Sequence, residues 1–148
     1  MTIRERRILL AEDDENDIEL TLAALDEHKL AKVVDVVRDG REALDYLYRR
    51  GTHTGRESPS PVLVLLDLKM PKIDGLDVLR RIKGDPLLRT MPVVVLTSSR
   101  EAPDISSCYE LGANAYVTKP VKFEEFVKAV SELGLFWMLI NEPPLSAN

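Results

Sequence analysis

The stretch that most constrains the fold is VLVLLDLKMPKIDG, residues 62–75. Five apolar residues, Val62 to Leu66, run directly into Asp67, and the run is short, partly β-branched and bounded by Pro61. These features predict a buried strand rather than a helix. A carboxylate therefore sits where the strand leaves the core. Pro71 blocks further pairing, and Asp74-Gly75 supplies a turn and a helix cap ahead of Leu76, Leu79 and Ile82. A lone acid after a strand is ordinarily turn chemistry, so the meaning of Asp67 depends on what the other strand ends deliver.

They deliver matching chemistry. Ile8 to Ala11 is an apolar run that stops at Glu12, Asp13 and Asp14. Crowding three acids costs free energy unless a cation, a lysine or water is available to them. Asp14 or Asn16 can cap a helix carrying Ile18, Leu22 and Leu25 on one face. Val33 to Val37 predicts the second strand, and Asp39 with Glu42 matches a capping box for a helix packing Ala43, Leu44, Leu47 and Tyr48. Residues 51–61, GTHTGRESPSP, lack periodicity and predict a surface loop in which His53 is solvated. Val93 to Leu96 runs into Thr97, Ser98 and Ser99, and Pro103 suits the first turn of the helix that follows, with Ile105, Cys108 and Tyr109. Ala115 to Thr118 is the weakest strand, fit for a sheet edge, and ends at Lys119-Pro120. Phe123, Phe126, Val127 and Val130 mark the last helix.

Five strands alternating with five helices predict an α/β fold with a doubly wound parallel sheet, flavodoxin-like in order 2-1-3-4-5. Ligands bind such sheets beyond the carboxyl ends of the strands, where Glu12, Asp13, Asp67, Thr97 and Lys119 all fall. The 148 residues suit one domain, with a core over about 7–134 and an apolar extension and tail over 135–148. A net charge of -5 argues against nucleic acid or an anionic membrane as partner, and Arg4, Arg6 and Arg7 read as a solvated basic flank. One cysteine, Cys108, excludes an internal disulfide; the first residues do not resemble a signal peptide, and these 148 residues hold no 18-residue apolar run. A cytoplasmic protein is expected.

Asp13 and Asp67 can supply carboxylates to Mg2+, with Glu12 reaching the ion directly or through water. A carboxylate can also attack phosphorus to give an aspartyl phosphate, a transfer promoted mainly by positioning and charge neutralisation. Asp67 is the expected nucleophile. Lys119 offers an ammonium to the phosphoryl oxygens, and the Thr97 hydroxyl can hydrogen-bond one of them. A phosphohydrolase is disfavoured because Asp67-Leu68-Lys69 has no second acid two residues on. A flavin or nucleotide domain is disfavoured because acids stand where a Gly-rich phosphate loop belongs.

The pattern EDD after the first strand, DLKMP after the third, T-S after the fourth and Y-V-T-K-P at the fifth resembles the receiver domain of two-component response regulators. The resemblance implies that the phosphohistidine of a sensor histidine kinase donates to Asp67. It implies Mg2+ on Asp13 and Asp67, with Glu12 beside them and the Lys69 backbone carbonyl completing the protein ligands. Thr97 and Tyr116 are implied as coupled switch residues that alter the face made by the fourth helix, fifth strand and fifth helix, and a cis peptide is implied before Pro120. Such a protein is not a classical enzyme but catalyses its own phosphorylation and dephosphorylation. The 51–61 loop and the FW-containing tail resemble the single-domain regulators that pair with phytochrome-type histidine kinases. No output domain is expected, so the output is a partner contact or a phosphate relay to a histidine phosphotransfer protein. Leu135 to Ile140 is six consecutive apolar residues, a run without a polar face. It predicts a homodimer in which Phe136, Trp137, Leu139 and Ile140 form the interface, in preference to folding back on the domain.

Overall fold

The computed structural model describes residues 6–57, 59–98, 102–135 and 139, without the side chains of His28 and of residues 102–104. The strands are β1 (Ile8–Ala11), β2 (Val34–Val37), β3 (Leu63–Asp67), β4 (Val93–Thr97) and β5 (Ala115–Thr118). They alternate with α1 (Glu15–Leu25), α2 (Gly40–Tyr48), α3 (Gly75–Gly84), α4 (Ala102–Glu110) and α5 (Phe123–Glu132). All pairings are parallel and the order is β2-β1-β3-β4-β5, as the alternation predicts. The strands begin one residue late against expectation at two places, with Val33 in a 3-10 turn and Val62 ahead of β3.

Side chains alternate across the pleat and so divide the core in two. Leu9, Ala11, Val64, Leu66, Val93 and Val95 pack against α2, α3 and Cys108 of α4. Ile8, Leu10, Leu63, Leu65, Val94 and Leu96 pack against α1 and α5. Near-complete burial on both faces explains why β1, β3 and β4 are almost wholly apolar. β5, at the edge, alternates buried Ala115 and Val117 with exposed Tyr116.

The loop from β3 to α3 is held by two close backbone approaches. The Gly40 amide donates to the Pro71 carbonyl at 3.4 Å, and a Cβ on Gly40 would lie 1.8 Å from the Ile73 carbonyl oxygen. A Cβ on Gly75 would lie 2.2 Å from the carbonyl oxygen of Asp67 itself. Both positions therefore exclude any side chain, whatever their φ. Lys72, in the left-handed region at φ 68°, reaches Asp39 at 3.4 Å from the opposite side of the loop.

Four expectations are corrected here. Arg7 is not a solvated flank: its guanidinium pairs with Asp35 on β2 at 2.6 and 3.2 Å. On α2 the buried tyrosine is Tyr46, not Tyr48, because the Tyr46 hydroxyl reaches Asp35 while Tyr48 stays exposed. His53 is not simply solvated, since its Nε2 lies 3.2 Å from Glu42 and its ring meets the edge of Tyr46 at 5.2 Å. The Arg56 guanidinium stacks 3.8 Å from the Tyr46 centroid and donates to the Tyr46 and Pro59 carbonyls, so the 51–61 loop is pinned over α2.

Leu139 is the fourth. Expected at an interface with a second copy, it is 2% exposed and packs in the α1/α5 core with Leu135, whose carbonyl accepts from its amide at 3.1 Å. Residues four apart in a helical turn share a face, and this one turns inward. Phe136, Trp137 and Ile140 lie outside the described residues, as do Arg4 and Ser99.

The Gly40 contact makes a direct prediction. Gly40→Ala should lower unfolding stability by about 1–3 kcal/mol through displacement of the 71–73 segment; an unchanged urea midpoint would show that the loop is not clamped there.

Candidate phosphoacceptor site

The carboxyl ends of β1, β3, β4 and β5 converge on a cleft of about 200 Å³ lined by Glu12, Asp13, Asp67, Thr97 and Lys119, together with Asp17 and Lys69. Each side chain arrives there for a local reason. Glu12 follows β1 directly, and its amide donates to the Val37 carbonyl at 2.9 Å, extending the ladder by one bond. Asp67 closes β3 opposite Leu96, and Thr97 closes β4 opposite Thr118. The Lys119 amide donates to the Thr97 carbonyl at 2.8 Å, and the Lys119-Pro120 peptide is cis.

Lys119 Nζ is the centre of the arrangement. It lies 2.7 Å from Glu12 Oε1, 3.1 Å from Asp67 Oδ1 and 3.0 Å from Asp17 Oδ2, the last as a donated hydrogen bond. Burial alone draws the ammonium pKa down, but the contacts to Glu12, Asp17 and Asp67 outweigh it and hold the pKa above the ordinary lysine value. The fully buried Glu12 carboxyl is pushed up to about 7, first by burial and then by the charge of Asp67. Lys119 and the Asp14 amide, which donates to Glu12 Oε2 at 3.2 Å, pull the other way.

One ligand oxygen from each of Glu12, Asp13 and Asp67 lies within 4.8 Å of the others. Three hard oxygen donors, Asp13 among them exposed, fit a small divalent cation that retains water. Lys69 lines the same cleft with its side chain exposed. Tyr116 is elsewhere: it is exposed on β5, its ring 6.0 Å from that of Tyr109, beside a groove that also includes Glu125, Lys128 and Glu132 of α5. Sequence reasoning missed Asp17. An acid at the third position of a helix capped by Asp14 reads as capping chemistry, and only the fold reveals that the amide of the capping residue Asp14 donates to Glu12 instead, while the Asp17 carboxylate turns to Lys119.

Carboxylates, a hydroxyl and an ammonium thus meet at the rim of a 2-1-3-4-5 sheet. Residues 8–131 match the family model described as the response regulator receiver domain. The chain is 39% identical over 131 residues to the response regulator Rcp1 of Synechocystis sp., spanning 88% of each protein. It is similar to the bacteriophytochrome response regulator AtBRR at 56% identity and a TM-score of 0.83, covering 93% of this chain and 98% of that one. The Mn(2+)-bound form of Rcp1 aligns with a TM-score of 0.72 at 38% identity, and the phosphorylated cyanobacterial phytochrome response regulator RcpA with 0.74 at 40%. Each of those two alignments covers 90% of this chain and 94% of the other. The chain belongs to the response regulator receiver family, in which phosphoryl transfer to an aspartate is typical.

The Glu12 environment has a pH consequence. Its folded pKa is raised above that of the unfolded chain, so the folded state binds the extra proton and the stabilisation is complete below about pH 4.5. That stabilisation is lost as pH rises through about 7. The thermal midpoint of metal-free protein should therefore fall between pH 5 and pH 8, and Glu12→Gln should flatten the fall; parallel pH profiles for the two proteins would contradict this electrostatic account.

Proposed function

We propose that Asp67 accepts a phosphoryl group from the phosphohistidine of a sensor histidine kinase, and that the modification switches the face formed by α4, β5 and α5. The observation that carries this reading is the 3.1 Å contact between Lys119 Nζ and Asp67 Oδ1 at the mouth of an acid-lined cleft. In the transfer, an Asp67 carboxylate oxygen forms a bond to phosphorus while the phosphorus–nitrogen bond of the donor breaks, and the departing imidazole takes a proton. Lys119 balances charge on the phosphoryl oxygens, and the Thr97 hydroxyl donates to one of them. Glu12, Asp13 and Asp67, with the Lys69 backbone carbonyl, would hold magnesium, which when bound neutralises charge on an incoming phosphoryl group. The Mn(2+)-bound state of Rcp1 and the phosphorylated state of RcpA support these assignments by analogy.

Identity to AtBRR and Rcp1 favours a phytochrome-type kinase as the donor. Onward transfer to a histidine phosphotransfer protein is the relay form of the same chemistry. Thr97 and Tyr116 are the proposed switch pair: Tyr116 stands outward on β5, where a rotation would remodel the groove it shares with α5. A homodimer through the C-terminal segment is also proposed, now resting on Phe136, Trp137 and Ile140, since Leu135 and Leu139 face their own core.

Incubation with a small phosphoramidate and magnesium should add one phosphoryl group by intact mass, and Asp67→Asn should abolish the addition. Equal labelling of that variant would reject Asp67 as acceptor. Sedimentation at tens of micromolar should show dimer, and a monomer throughout would reject the tail interface.

A further inference from the structure

The ammonium of Lys119 commits a directed hydrogen bond to a residue that belongs to neither the acceptor nor the cation cluster: Asp17, in the first turn of α1. An ammonium has three N–H donors, and here three carboxylates surround it. A phosphoryl oxygen that engages Lys119 must displace one of them. Asp67 is the group being modified and stays in place. Glu12 is fully buried and fixed by the Asp14 amide, so it cannot withdraw without leaving a carboxyl unsatisfied. Asp17 has a 29% exposed side chain at a helix end, from which its carboxylate can turn into water at little cost.

We propose that Asp17 is a positioning residue: it holds Lys119 in the unmodified protein and is the ligand that Lys119 gives up when a phosphoryl group occupies the site. This rests on the assignment of Asp67 as acceptor. Two consequences share one direction. Asp17 competes with the phosphoryl oxygens for the ammonium, and its own negative charge opposes an anion arriving next to it. Removing the charge therefore strengthens anion binding. Magnesium, a cation held by Glu12, Asp13 and Asp67, gains nothing from that loss of negative charge, so the two ligands respond differently.

The test is a titration of the full chain with beryllofluoride at saturating magnesium, comparing wild type, Asp17→Asn, Asp17→Glu and Asp67→Asn, with magnesium affinity measured separately without beryllofluoride. Asp17→Asn should bind beryllofluoride about twofold to fivefold more tightly, the range expected for loss of a partly exposed ion pair. Its magnesium affinity should not rise, because Asp17 is not among the three carboxylates grouped for the cation and loss of a nearby negative charge does not favour a cation. Asp17→Glu, which keeps the charge, should stay close to wild type and shows that the site tolerates substitution. Unchanged or weaker beryllofluoride binding by Asp17→Asn overturns the proposal while leaving the acceptor assignment intact. Equal binding by wild type and Asp67→Asn instead removes the acceptor assignment and the role of Asp17 with it.

Discussion

The Lys119 ammonium is the interaction on which the site depends. Glu12, Asp17 and Asp67 come from the end of β1, the start of α1 and the end of β3, and all three place an oxygen within 3.1 Å of one nitrogen. Without that charge, acids from three segments would face one another in a cleft that is largely withdrawn from water, an arrangement that favours protonation or local opening. With it, their negative charge is balanced in part by one shared ammonium. Burial, and after it the charge of Asp67, raise the Glu12 pKa even with Lys119 present.

The sheet makes the convergence possible, and small residues make it accurate. Parallel strands of matched register end at one rim, so four segments far apart in sequence deliver their last residue or the one after it to the same place. The acceptor loop is then held by backbone-to-backbone contact at Gly40 and Gly75, where any Cβ would drive into the Ile73 or Asp67 carbonyl. Gly75 therefore bears on Asp67, the proposed acceptor, which ties the start of α3 to the position of the carboxylate.

What could be read from the chain divides along a physical line. Glu12, Asp13, Asp67, Thr97 and Lys119 were legible because each follows an apolar run whose length and composition mark a strand, and the strand ends define a common rim. Asp17 was not, since an acid three residues after Asp14 carries the signature of a helix cap. The Arg7–Asp35–Tyr46 cluster and the seating of Arg56 on Tyr46 were hidden for another reason: they join β2, α2 and the following loop through side chains with no sequence spacing to announce them. Leu139 was misassigned because an all-apolar run has no polar face to reveal which side turns inward.

One largely buried cation holds these acids together, and its removal is the most direct test. Thermal unfolding of Lys119→Met, recorded at pH 8 without divalent metal, should give a midpoint lower than wild type by at least about 5 °C, as expected when one partner of a buried ionic cluster is lost. A midpoint equal to or above that of the wild-type protein would contradict the account.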